Sequence, residues 1–180
     1  LCTTCRQTRK PQEGLLMASP DYINIIERDL IAQLRDDFGG CHVFGQYPEA
    51  VEVAYPAIIV EITSSGLFDK FMGEKLTFGG EEKTGELVGL MYMIHLIVDK
   101  DSQMTVNSEV FKQRRLMNYL MLNVVNTFTD MGGSLGGTWS DTVEITHQEL
   151  SNWTDIGYDP EMELWGASAV YMLVFKNYRS

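Results

Sequence analysis

The chain has 180 residues, of which 44% are hydrophobic and 22% charged, and it carries a formal net charge of −11. That length suits one domain around a single core, and no apolar run reaches the ~18 residues of a membrane-spanning helix. The acidic balance disfavours broad binding to nucleic-acid phosphates, and three cysteines are too few for a disulfide framework, which suits a reducing interior.

The first residues form a separate problem. Met17-Ala18-Ser19-Pro20 reads like a natural start, and Gln12-Glu13-Gly14 is encoded by a stretch that can contain a ribosome-binding sequence. Residues 1–16 are therefore expected to be an N-terminal extension that is not native, and 17–180 a single α+β domain. The extension lacks the apolar centre of a signal peptide. Cys2 and Cys5 within it make half of a zinc-ribbon pattern, but the second pair is missing, and His42, His95 and His147 share no ligand spacing. No metal site and no cofactor are expected.

Ser19-Pro20-Asp21 is a helix start, with a cap, a proline in the first turn and an acid. Ile23, Ile26, Leu30, Leu34 and Phe38 then recur at helical spacing, and Gly39-Gly40 closes the helix. Cys41 to Phe44 reads as a short strand. The segment 45–54 reads as loop, and Ala57 to Thr63 as a strand behind Tyr55-Pro56. Residues 64–85 are the least regular stretch. They carry Gly66, Gly73, Gly79 and Gly80, but also Leu67, Phe68, Phe71, Met72, Leu76 and Phe78. A connection this long inside a compact domain is often functional, and its apolar residues predict an arm or hairpin extension.

Glu86 to Val98 is a long strand with apolar residues on both faces, and His95 lies on the second face with Met91 and Met93. One layer of helices covers only one face, so the other is expected to meet a neighbouring subunit. His95 is expected to be a hydrogen-bonded interior or interface histidine. Asn107 to Met131 is predicted as the main helix. Ser108 would cap it, Met117, Met121, Val124, Phe128 and Met131 would form its apolar stripe, and Leu116, Leu120 and Val125 would widen that stripe. Gly132-Gly133 should stop it, leaving 132–137 as a flexible linker rather than a phosphate loop, since no helix follows. Thr142 to Glu149 alternates as a half-exposed strand, with Val143, Ile145 and His147 on one side. Asn152 to Pro160 reads as polar loop, and Met162 to Phe175 as the last strand, with Gly166 as a bulge position. The order predicts an α+β fold, a mostly antiparallel sheet of about five strands packed on two helices, with an extended arm at 64–85.

No enzyme motif emerges. No serine sits in a Gly-x-Ser-x-Gly elbow, and Cys41 and His42 would point to opposite faces of a strand. Lys112, Arg114 and Arg115 form a basic cluster on the outer side of the main helix, better suited to an intersubunit salt bridge than to nucleic acid.

The element order, the strand Tyr55-Pro56-Ala57-Ile58-Ile59-Val60 and the closing strand Trp165-Gly166-Ala167-Ser168-Ala169-Val170-Tyr171-Met172-Leu173-Val174-Phe175 resemble the tail-terminator and tail-completion (neck) proteins of tailed phages. The resemblance covers residues 18–178 and lies in element order and strand character, not in a motif. It implies a non-enzymatic virion protein, assembled in the host cytoplasm. Such a protein forms a hexameric ring that caps the tail tube, contacts the tube protein and the head–tail connector or head-closure protein, and lets DNA pass through its lumen without specific binding. The expected oligomer interface comprises Leu67, Phe68, Phe71, Met72, Phe78, Met91, Met93, Arg114 and Arg115. The alternatives are another neck or tail protein, such as a head-closure, tube or baseplate-adaptor protein, and a small-ligand-binding or hydrolytic α+β domain using His95 or His147.

Overall fold

A computed structural model describes the backbone at 22–46, 53–69, 75–78, 81–138 and 143–178, and the side chains at 23–46, 53–65, 87–128 and 145–176. The expected extension 1–16 and the helix start at Ser19-Pro20-Asp21 lie outside the described residues. The fold is α+β, and the described residues form two helices on a mostly antiparallel sheet.

Helix α1 spans Tyr22–Asp37. Its Ile26, Leu30 and Leu34, and Phe38 just beyond it, are buried as their spacing predicts, while Ile23 packs at the rim of the same core. The chain then turns, with Cys41 N–H donating to Phe38 O, and β1 (His42–Phe44) runs parallel to β2 (Ala57–Asp69). Strand β3 (Lys75–Phe78) and β2 both pair antiparallel with β4 (Glu81–Asp99). The stretch 64–85 is thus largely strand, made of the end of β2, all of β3 and the start of β4.

The main helix is shorter at its start and longer at its end than its sequence suggests. Residues 103–112 form a hairpin of β5 (Gln103–Val106) and β6 (Glu109–Lys112), turning through Asn107 and Ser108, both at positive φ. Two left-handed residues between antiparallel strands match the right-handed twist of the pair, and asparagine is favoured there. Ser108 therefore sits in a strand turn and caps nothing. Helix α2 runs Gln113–Thr138, straight through Gly132, Gly133, Gly136 and Gly137. The expected linker is helical. Glycine costs a helix about 1 kcal/mol per residue relative to alanine, but it does not forbid one, and no proline interrupts this stretch. The buried stripe of α2 is Leu116, Met117, Leu120, Val124, Thr127 and Phe128. Met121 is half-buried and Val125 is exposed, so the stripe is rotated from the expected one.

Strand β7 (Val143–Leu150) and β9 (Leu164–Tyr178) close the sheet, in the order β1-β2-β4-β9-β7. An irregularity between Ile145 and His147 breaks the even alternation of β7. Ile145 and Leu150 pack against the core, and Gln148 accepts a hydrogen bond from the Tyr171 hydroxyl at 3.1 Å. His147 and Glu149 are exposed. The predicted polar loop at 152–160 contains another strand, β8 (Thr154–Asp159), paired with β9, and all six of its residues are exposed. Met162 lies in the turn before β9, not in the strand. Gly166 is not a bulge, for β9 pairs with β4 without interruption from Gly85↔Tyr178 to Asp99↔Leu164. The nearby register shift lies in β8, between Thr154 and Gly157.

Both helices pack on one face of the sheet. Leu90, Tyr92, Ile94, Leu96 and Val98 of β4, with Tyr171, Leu173 and Phe175 of β9, are fully or almost fully buried there. The Thr127 hydroxyl donates to Asp37 at 2.9 Å and joins the end of α1 to α2. Phe128 and Tyr171 rings lie 4.3 Å apart, joining α2 to the sheet.

Candidate functional site

The second face of the sheet is built by the alternate residues of the same strands. Register places Met91 opposite Met172, Met93 opposite Val170, His95 opposite Ser168 and Ile97 opposite Gly166. On the other side Glu61 pairs with Met93 and Ile59 with His95. Ala57 and Ile59 are buried, but Met91 is 39% exposed, and Met93, Ile97, Val170 and Met172 are half-buried. Among the described residues this face is an apolar surface left partly open.

A groove of about 790 Å³ runs along that face. Its floor is His95 and Ile97 of β4 with Gly166 and Ser168 of β9. Val53 and Tyr55, leading into β2, line it from one side, while Asp155, Tyr158, Asp159, Pro160 and Met162 from β8 and its turn line it from the other. The Tyr158 and Trp165 rings are 5.0 Å apart. The turn is held by Asp159 Oδ1, which accepts hydrogen bonds from the backbone N–H groups of Glu161 and Met162. Lys100 and Glu163 form an ion pair at the same end. Asp155 has φ 53°, a left-handed conformation that aspartate tolerates better than most residues.

His95 is the ionisable group of the floor. Its Nδ1 lies 2.9 Å from Ser168 Oγ, and its Nε2 lies 3.7 Å from Glu61 Oε2, too far for a hydrogen bond. Burial lowers its pKa below the ordinary value of 6.5, outweighing the opposing pull of Glu61 and Asp155. The imidazole is therefore neutral at pH 7, where its Nδ1 shares a hydrogen bond with the Ser168 hydroxyl. His147 is exposed, 3.7 Å from Glu149, and lines no part of this groove. A smaller cavity of about 310 Å³ lies between α2 and β7, lined by Val125, Phe128, Gln148 and Tyr171 among others.

The expected interface residues do not form one patch. Met91 and Met93 lie on the open face. Arg114 and Arg115 are exposed at the start of α2, which packs on the opposite face. Arg115 pairs with Glu109, and its guanidinium sits 4.8 Å from the centre of the Phe111 ring. Leu67 and Phe68 belong to β2 and Phe78 to β3, but their side chains lie outside the described residues, as do Phe71 and Met72 entirely. Cys41 packs at the edge of the core, where burial pushes its thiol up to about 12, while neighbouring His42 is exposed. A thiol held protonated is a poor nucleophile. Among the described residues no three His, Cys, Asp or Glu side chains are grouped closely enough to hold a metal ion, and no helix is long and apolar enough to cross a membrane.

Sequence reasoning placed His95 correctly on the second face but did not find the groove. Asp155, Asp159 and Trp165 were not singled out. The usable signal was Asp159-Pro160, a turn-forming pair, preceded by the aromatic Tyr158. No protein-family model matches the chain, and no curated protein matches it.

Proposed function

We propose that this chain is a structural virion subunit, a phage tail terminator that forms a ring on the tail tube and joins it to the head–tail connector. The observation that carries the reading is that, among the described residues, helices pack on one face of the sheet only. Its other face leaves Met91 39% exposed, amid the half-buried Met93, Val170 and Met172. A monomer gains by covering such a surface, and a neighbouring subunit is a natural cover. The strand extension at 64–85 and the resemblance in element order support the same reading. The net charge of −11 per subunit suits a lumen that DNA crosses without adhering. The protein acts in the neck of the virion, is not an enzyme, and meets the tube protein on one side of the ring and the connector or head-closure protein on the other. The native mass by light scattering in moderate salt is expected near six subunits. Monomers that also fail to bind purified tail tubes in electron micrographs would overturn the proposal.

A second reading, a hydrolytic or small-ligand domain, is favoured by one observation: the His95–Ser168 pair on a groove floor. As a nucleophile and base it is incomplete. Glu61 stands 3.7 Å from the imidazole with its side chain 48% exposed, so it orients the ring weakly. Among the described residues the groove lining comes from strands and turns, with no helix N-terminus to stabilise an oxyanion. Equal turnover of an activated ester by the wild type and Ser168→Ala would remove this reading.

A further inference from the structure

We propose that the open sheet face of one subunit is covered by the outer side of α2 of the next copy, with Leu122 and Val125 seated on the methionines. This contact rests on the ring reading, and it adds which two surfaces meet and in which direction.

The two surfaces differ in charge. On α2, Arg114, Asn118, Leu122 and Val125 recur at spacings of four, four and three, so they share one side of the helix. All four are exposed, Leu122 at 62% and Val125 at 36%. From Gln113 to Phe128 the helix contains no acidic residue, so this side is apolar and basic. The open sheet face is apolar and acidic. Register sets Met91 beside Met172 and Met93 beside Val170. Glu61 flanks that patch from β2, opposite Met93, and Glu149 flanks it from β7, opposite Met172. Both carboxylates reach water.

The signs select the pairing. Two open faces laid together would set Glu61 and Glu149 against a second set of the same acids. Two α2 surfaces would set Arg114 and Arg115 against a second set of arginines. Like charges held together oppose association. α2 against the sheet joins apolar to apolar and cation to acid, and it is the kind of unlike contact that a ring needs. Spacing then fixes the direction. Arg114 stands about 12 Å along α2 from Leu122. With Leu122 over Met91 and Met172, Arg114 falls about that far along β9. In one direction lies Ser168, four residues or about 13 Å from Met172, with Asp155 beside it in the groove. In the other direction lies Lys176, also four residues from Met172. Attraction to the acid and repulsion from the lysine turn Arg114 toward Asp155.

The test is crosslinking with a short bismaleimide in a chain whose Cys2, Cys5 and Cys41 are replaced by alanine. Met91 and Leu122 are exposed, so Met91→Cys and Leu122→Cys should leave the urea midpoint unchanged. The chain carrying both cysteines should give a ladder of covalent multimers. Each single-cysteine chain should give none, and an equal mixture of the two single-cysteine chains should give a dimer and nothing larger. That mixture repeats the test if the double-cysteine chain fails to fold. Arg114→Glu in the double-cysteine chain should lower the ladder's yield about tenfold at low salt. Dimers from either single-cysteine chain alone would overturn the proposal, because they report a surface meeting itself. A native mass near six subunits with no ladder would also overturn it, while leaving the ring reading in place. A monomer with no ladder removes both. A ladder from particles of another mass supports this contact and removes the six-membered ring.

Discussion

His95 links the chemistry of the open face to stability. Its folded pKa lies below the ordinary 6.5 because burial disfavours the charged ring more than Glu61 and Asp155 favour it. The unfolded chain therefore binds a proton on this residue at a higher pH than the folded chain does. The sign follows directly: the stability tied to neutral His95 is fully present above about pH 6.5 and is lost as pH falls through the lower folded value. His95→Gln keeps a donor and an acceptor near Ser168 but cannot titrate. Urea midpoints measured from pH 7.5 down to 5 should fall more steeply for the wild type than for this variant. Parallel slopes would mean that the ring is solvated well enough to titrate normally.

At the scale of elements, the segment from 103 to 138 makes two demands that the sequence states ambiguously. Asn107-Ser108-Glu109 has the chemistry of a helix cap, yet Asn107 and Ser108 both adopt positive φ, which is the requirement of a tight strand turn. The two arrangements predict opposite signs for Ser108→Gly. A cap would lose a few tenths of a kcal/mol. A left-handed turn residue should gain about 0.5–1 kcal/mol, since glycine reaches φ 68° without the steric cost that serine bears. Urea denaturation of the two proteins decides between them. The same ambiguity explains what was legible in advance. α1 could be read because Ile26, Leu30, Leu34 and Phe38 all face the core, so burial wrote its period into the residues. β8 could not, because all six of its residues are exposed and no apolar alternation is needed to hold an edge strand. The hairpin of β5 and β6 was hidden by its turn residues, and the glycines of α2 looked like a stop because glycine also serves there. The groove was hidden for another reason. Its lining is drawn from 53–55, 95–97 and 155–168, and only the register of β4 with β9 and of β8 with β9 brings those segments together.

For the whole molecule, the separation of the two candidate contact surfaces carries a consequence. Met91 and Met93 lie on the open sheet face, and Arg114 lies exposed at the start of α2 on the helical side. A two-fold dimer uses one self-complementary surface, so a second, distant surface would be irrelevant to it. A ring uses two different surfaces, each meeting the other on the next subunit. If the chain forms the proposed ring, with Met91 and Met93 on one of these surfaces and Arg114 on the other, Met91→Asp with Met93→Asp blocks one side, and Arg114→Glu blocks the opposite side. Each variant alone should leave the ring and run as a monomer, while retaining one intact surface. Mixed in equal amounts, they should associate once and stop, because the single good contact buries both intact surfaces and leaves two spoiled ones outside. Light scattering would then report a mass near two subunits for the mixture and near six for the wild type. A wild-type ring that Arg114→Glu leaves whole would remove Arg114 from the contact. A mixture that stays monomeric while the wild type forms rings would show that the two variants damage the same side.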